Sequence, residues 1–247
     1  NPNLQQIPRD KVFRECFIPA EGKVLIIGDY SQVELRVAAE ISRDQRMIDA
    51  FQQNQDIHCL TASLLIGKNI SSVTKEERQA AKAVNFGLLY AMGARGLKLY
   101  AQNSYNVEMT DQQAIDFRKR FFEVYQGIAS WQKELSSSHL KEIRTLNGRL
   151  RSWEDQPKVT ELFNAPIQGT AADIIKQAMA KSFPFLYSNG IHLIGTVHDE
   201  ILLESPQEKA EEASHFLKET MINAGKKFIQ QVPIEVDVVI ANNWSEK

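Results

Sequence analysis

The sequence predicts an α+β protein: an antiparallel sheet carrying a long, nearly all-helical insertion. Three observations predict it. Short apolar runs that read as strands lie near both ends of the 247 residues, at 23–28, 191–197, 200–204 and 234–240. The stretch between them, 44–164, carries helical periodicity and helix start signals instead. Two acids, Asp29 and Asp199, close β-like runs at opposite ends of the chain, where a strand end would present them out of the core.

Taken in order, residues 1–20 read as irregular, punctuated by Pro2, Pro8 and Pro19. The continuous apolar run at 23–28 reads as a buried strand. A helix is expected over 31–51, with Val33, Leu35, Val37, Ala38, Ile41 and Ile48 as its apolar stripe, and a second over 57–66. Thr74-Lys75-Glu76-Glu77 has the form of a capping box and opens a helix to about Tyr90. Thr110-Asp111-Gln112-Gln113 opens another to about Tyr125, and an amphipathic stretch follows over 128–143. Asn147-Gly148 reads as a hairpin turn. After Pro166 a helix is expected over 167–186. Two strands then flank His198-Asp199, a hairpin with an acid at its tip. A helix over 206–224 and a strand over 234–240 close the chain. The domains expected are therefore 1–43 with 165–247, built on the sheet, and the helical block 44–164.

An apolar content of 43% is enough for a sizeable core. No apolar run reaches the ~18–20 residues of a membrane-spanning helix, so no membrane association is expected. The net charge of −2 does not itself point to nucleic acid, but binding depends on where charges lie. Basic residues gather at 75–98 and 141–158, acidic ones at 111–123 and 200–219. Cys16 and Cys59 lack metal-ligand spacing and are expected to be reduced, buried and inert, in keeping with an intracellular protein. The chain does not begin with Met, and Asn1-Pro2-Asn3-Leu4 reads as mid-domain sequence, so a longer parent is expected.

Two constellations carry chemistry. On the helix from Thr74 to Tyr90, Arg78, Lys82, Phe86 and Tyr90 recur every fourth position and form one stripe, cationic at one end and aromatic at the other. Such a stripe suits a nucleoside triphosphate: a guanidinium fork and an ammonium for phosphate, flat faces for sugar and base. It equally suits core aromatics with snorkelling cations. Gly87 lowers helix propensity, which a close contact would explain. The second constellation is Asp29 and Asp199, with Glu34, His198 and Glu200 nearby in sequence. Carboxylate oxygens favour Mg²⁺ or Mn²⁺ over zinc, and two such metals serve phosphoryl transfer. A single acid at a strand end is more often a turn or cap residue, so both readings stay open on the residues alone.

The strings DYSQVELR (29–36), RQAAKAVNFGLLY (78–90) and VHDE (197–200) resemble motifs A, B and C of the family A DNA polymerases, the bacterial DNA polymerase I type. They stand in that family's order. NPNLQQIP (1–8), DIH (56–58) and NAPIQGTAADI (164–174) resemble it too, so the resemblance covers essentially the whole chain. It implies a right-hand fold with 1–43 and 165–247 as palm and 44–164 as fingers. The thumb and any 3′–5′ exonuclease would lie upstream in the parent.

The resemblance also implies roles. Asp29, Asp199 and the Tyr30 carbonyl would hold two Mg²⁺ ions, with Mn²⁺ possible, and Glu200 would support them. Arg78, Lys82 and His58 would bind the triphosphate, Lys82 with a catalytic part. Phe86 would pack on sugar and base, and Gln32 would line the nucleotide site. Glu34 would fill the space of a ribose 2′-hydroxyl and so select dNTPs. Tyr90, Gln168, His198, Asn164, Asn3 and Gln5 would contact the DNA primer-template. Two departures stand out: Ala91 follows Tyr90 where the family commonly has Gly, and Thr160 stands where an Arg is frequent. The rivals are a single-subunit RNA polymerase and a non-catalytic primer-template-binding module. The Glu34 gate and Phe86 argue against the first.

Overall fold

A computed structural model describes residues 6–8 and 10–247, so the expectations for Asn3 and Gln5 lie outside the described residues. A single helical turn, α1 (Lys11–Arg14), is capped by Asp10 and followed by β1 (Lys23–Tyr30). The one helix expected over 31–51 is instead two, α2 (Val33–Ser42) and α3 (Gln45–Gln52). The chain breaks at Arg43, with φ 52°, and restarts at Asp44, whose side chain accepts from the Met47 N–H at 3.1 Å. Asp44 is buried, and its other oxygen accepts from the Gly127 N–H at 2.8 Å. A Cβ on Gly127 would lie 2.5 Å from the Asp44 Cα. A cap worth ~1 kcal/mol, locked by a tertiary contact, thus overrides an apolar period that runs on through it.

α4 (Ile57–Ile66) is capped by Asp56 and stopped by Gly67 at φ 79°. α5 (Lys75–Leu89) opens on the expected capping box of Thr74 and Glu77. α6 (Ala94–Tyr105) was not expected: of its residues only Leu97 and Ala101 are buried, too thin a stripe to read, and its cap is Gly93 without a side-chain bond. α7 (Asp111–Val124) opens on the second box, Thr110 and Gln113. α8 (Gln126–Ser137) ends short of 143, because Ile143 belongs to the ribbon of β2 (Glu142–Arg144) and β3 (Leu150–Ser152). The Asn147-Gly148 turn joins them, with Gly148 at φ 81°.

α9 (Val159–Asn189) begins eight residues before the expected start and keeps Pro166 inside it. Pro166 forfeits one helical bond. Leu162 and Phe163 are buried in a cluster with Leu135, and the Glu161 carboxylate accepts from the Lys158 N–H at 2.9 Å, which starts the helix early. β4 (His192–Val197), β5 (Glu200–Pro206), α10 (Ala210–Lys226) and β6 (Val236–Ala241) complete the chain close to expectation.

The chain forms two compact units, residues 1–33, 170–230 and 234–247 in one, and 34–169 with 231–233 in the other. The first holds a four-stranded sheet in the order β4-β5-β1-β6, antiparallel throughout. Alternate residues of a strand face opposite sides. On one side of β1, Leu25 and Ile27 pack with Val197, Leu202, Ala241 and Trp244. On the other, a Cβ on Gly28 would lie 2.7 Å from Met221 Sδ, and the Tyr30 phenol donates to the Met221 carbonyl at 2.7 Å. Both faces of β1 are therefore covered, which is why its sequence is continuously apolar rather than alternating.

The second unit packs α4 on α5 and α5 on α6 around Val84, Leu88, Leu97, Phe121, Tyr125 and Ile128, all fully buried. Each such side chain contributes ~1.5–3 kcal/mol on burial. Gly87 has the close contact its presence suggested: a Cβ there would lie 3.0 Å from Leu97 Cδ1. The expectation of buried cysteines is corrected: both are free thiols, Cys16 exposed and Cys59 half-buried. Cys16 follows α1, which has no buried residue and so nothing to cover it. No helix of the described residues is long and apolar enough to cross a membrane.

Candidate active site

In the first unit, Asp29 ends β1 on the same face as Leu25 and Ile27. Register sets its neighbours: Glu200 of β5 lies opposite on one side and Asp237 of β6 on the other. Directly opposed residues share a face with Cβ atoms ~4.5–5.5 Å apart, and like charges there repel. Asp199 sits in the two-residue turn from β4 to β5, and the Tyr30 N–H donates to its carbonyl at 3.2 Å. The turn's other residue, His198, has φ 55°, a left-handed conformation costing a non-glycine residue ~1 kcal/mol. Asp237 was missed from sequence. Its signal was one acid within the apolar run of β6.

This donor set suits a hard cation. Asp29 Oδ1 is buried and has no hydrogen-bond partner, while Oδ2 lies 2.6 Å from the Lys247 ammonium. The same ammonium contacts Glu200 Oε2, so a positive charge already stands between two carboxylates. Glu200 itself is buried and held: its Oε1 accepts from the Trp244 indole N–H, and Arg14 lies 3.9 Å from Oε2 and 4.2 Å above the Trp244 ring. Among the described residues, no three or more His, Cys, Asp or Glu side chains are grouped so as to hold a metal ion by themselves. An open set of carboxylates fits Mg²⁺, which is bound by one or two of them together with water and substrate phosphates. A cavity of about 290 Å³ is lined by His198, Asp199, Glu200 and Lys247. The Tyr30 side chain turns away into α10, and burial pushes its phenol well above the ordinary value. Only its main chain could reach a metal.

In the second unit, α5 buries Ala81, Ala83, Val84, Asn85, Gly87, Leu88 and Leu89. Arg78, Lys82, Phe86 and Tyr90 each stay partly exposed. From Ala81 to Tyr90 the stripe is thus the open face of a helix buried on its other sides. Asp56 Oδ2 accepts from Arg78 Nε at 2.9 Å and lies 2.8 Å from Nη2. Its other oxygen caps α4, accepting from the His58 and Cys59 N–H groups at 2.9 Å each. Burial alone would raise the Asp56 carboxyl, but the Cys59 N–H and the Arg78 guanidinium outweigh it and hold the group below its usual value. Lys82 Nζ lies 5.9 Å from the Tyr105 ring centroid.

His58 is only 2% exposed, with its ring 5.9 Å from that of Phe86. Burial, reinforced by Arg78 and Lys82 and opposed by Asp56, brings its imidazole down to about 4. It is neutral at pH 7.

Glu34 lies in the first turn of α2, and its Oε2 accepts from the Tyr90 phenol at 2.5 Å. Burial first, then the Glu34 carboxylate, push that phenol well above its ordinary value, with Gln168 pulling the other way. Gln32 is half-buried, with φ 55°. Ala91 has φ 63°, which accounts physically for the glycine expected at its position.

Asn164 and Gln168 lie on α9, the first half-buried with its Oδ1 unpartnered, the second exposed. Both line a cleft of about 360 Å³ with Arg149, Arg151 and Trp153. Arg149 Nη2 donates to the Gly169 carbonyl at 2.9 Å, and a Cβ on Gly169 would lie 2.6 Å from Thr145 Cγ2, so the β2–β3 ribbon is seated on this helix. Sequence reading also missed the part played by half-buried Asp56, and by Thr61, Asn85 and Tyr125, buried polar groups that leave no mark on apolar periodicity.

A family model described as DNA polymerase family A matches residues 1–246. DNA polymerase I of Aquifex aeolicus is 42% identical over 252 residues, covering all of this chain and 43% of that protein. The thermostable DNA polymerase I of Thermus filiformis is 38% identical over 261 residues, covering all of this chain and 30% of its own length. The chain thus spans less than half of these curated relatives. Among solved structures, the POL domain of Pol1 from M. smegmatis in complex with DNA primer-template and dNTP aligns with a TM-score of 0.87 and 31% identity, over 99% of this chain and 45% of that one. By motif, fold and whole-chain match, this chain belongs to DNA polymerase family A.

Proposed function

We propose that the chain is the palm and fingers of a DNA-directed DNA polymerase that transfers a nucleotide from dNTP to a primer 3′-hydroxyl on a template. The palm is 1–43 with 165–247 and the fingers 44–164. The carrying observation is Asp29 beside the Asp199 turn, with one Asp29 oxygen buried and unpartnered and the other against an ammonium. That M. smegmatis Pol1 was solved with primer-template and dNTP supports the same substrates here.

Asp29, Asp199 and the Tyr30 carbonyl would hold two Mg²⁺ ions, replaceable by Mn²⁺. Bound there, the metals supply charge neutralisation at the attacking hydroxyl and the leaving pyrophosphate. Glu200, buried and held by the Trp244 indole, would support the metal site and steady the strand end. Arg78, pre-aligned by Asp56, offers a fork to triphosphate oxygens, and Lys82 a point charge one turn on. Phe86 offers a face to the sugar and base. Glu34, tethered by Tyr90, occupies the space of a 2′-hydroxyl and so rejects ribonucleotides. Gln32 would belong to the dNTP-binding residues. Asn164, Gln168, Tyr90 and His198 contact primer-template.

Primer extension with dNTPs and Mg²⁺ tests this. The parent extends, and Asp199→Ala loses extension by at least ~10³-fold. Extension by that variant at the parent rate would sink the two-metal assignment.

A further inference from the structure

Four polar side chains in the second unit form one buried chain: Tyr125, Thr61, Asn85 and His58, none more than 2% exposed. Thr61 Oγ1 lies 2.7 Å from the Tyr125 hydroxyl, 2.7 Å from the Ile57 carbonyl and 3.0 Å from Asn85 Oδ1. Asn85 Nδ2 lies 2.9 Å from His58 Nδ1. With the Asn85 amide oriented Oδ1 towards Thr61, the protons follow. Thr61 has one hydroxyl proton, shared between the Ile57 carbonyl and Asn85 Oδ1, which can only accept, so Tyr125 is the donor to Thr61. Asn85 Nδ2 can only donate, so His58 Nδ1 presents its lone pair. A neutral imidazole with Nδ1 bare carries its proton on Nε2.

Nε2 is not sealed in. The buried side-chain polar atoms lacking a partner among the described residues are Arg14 Nε, Asp29 Oδ1, Trp153 Nε1 and Asn164 Oδ1. The charged groups acting on the ring are Asp56, Arg78 and Lys82. We infer that Asn85 is the positioning residue of the nucleotide site: it fixes His58 as a neutral imidazole whose Nε2–H donates to a triphosphate oxygen. The inference rests on the triphosphate reading of α5 and deepens it. Two cations already supply charge there, and a third would be repelled by them. What His58 adds is a directed donor, and the opposite tautomer would aim a lone pair at oxygens that have no proton to give. An Asn85 amide rotated end for end would produce that tautomer, so the orientation is the crux.

The test is ¹⁵N NMR of the histidine-labelled protein, which has five histidines, with His58 assigned by loss of its signal in His58→Gln. The parent should show the Nε2–H tautomer between pH 6 and 8. In Asn85→Asp the new carboxylate can only accept, so the single ring proton should move from Nε2 to Nδ1 and leave Nε2 bare. The dissociation constant for dNTP should then rise about tenfold, with a much smaller loss of rate at saturating dNTP. Thr61→Val frees the amide to rotate and should give mixed tautomers, which covers the case of an Asn85 variant that fails to fold. A proton on Nδ1 in the parent, an unchanged tautomer in both variants, or a changed one with unchanged dNTP affinity would each overturn the proposal. The tautomer is read without DNA or nucleotide, so a parent unable to extend primers would sink the polymerase reading and leave this result standing.

Discussion

The carboxylate site and the cationic helix solve opposite problems. In the first unit, main-chain pairing forces Glu200, Asp29 and Asp237 into one row, and their mutual repulsion is eased by the Lys247 ammonium between Asp29 and Glu200. In the second, side chains hold one another: Asp56 aligns Arg78, Glu34 receives Tyr90, and Tyr125, Thr61 and Asn85 lead to His58. The comparison teaches where stability and function part company. A site assembled by backbone register can store repulsion and remain folded, because the main-chain pairing holds without any one charged member. A site assembled by buried side-chain bonds cannot lose a member without leaving a partner unsatisfied, at ~1–3 kcal/mol.

The largest expected break is Asp29→Ala. Primer extension should fall at least ~10³-fold, while the melting temperature changes little, since the lost Lys247 contact is offset by removal of a buried oxygen without a partner. A large fall in melting temperature would erase the contrast between the sites.

Next is acid. His58 titrates at about 4 in the fold against an ordinary 6.5, so the unfolded chain binds its proton first. Stability is therefore fully present above pH 6.5 and falls as pH drops from 6.5 towards 4, by roughly 3 kcal/mol at most. Denaturant titrations of the parent should show this loss, and His58→Gln should not.

Glu34→Ala should raise ribonucleotide incorporation about a hundredfold relative to dNTP, read by competing extension assays. Unchanged discrimination would place the gate elsewhere. The smallest effect is Ala91→Gly, which relieves φ 63° and should stabilise by ~0.5–1 kcal/mol in chemical unfolding.

Most of the fold was legible in the sequence because its signals were local. Both capping boxes, the Asn147-Gly148 turn and the strands around His198-Asp199 need only neighbouring residues to be read. What failed was tertiary. Asp44 splits a periodic stretch because Gly127 donates to it from far along the chain, and Pro166 is tolerated because buried Leu162 and Phe163 hold the turn before it. The site divided likewise. The four-residue stripe on α5 could be read from spacing, although its exposure could not. Asp237, Trp244 and Lys247 gain meaning only once β6 lies beside β1.

The row of acids has a consequence for how this protein can change over generations. Its active carboxylate is specified by a count along β1 as much as by a residue type. One residue inserted or lost between Leu25 and Gly28 would turn Asp29 towards α10 and an apolar neighbour towards the metal, although every side chain named here would still be present. A substitution in this strand alters one position, whereas a single-residue indel re-aims every side chain beyond it.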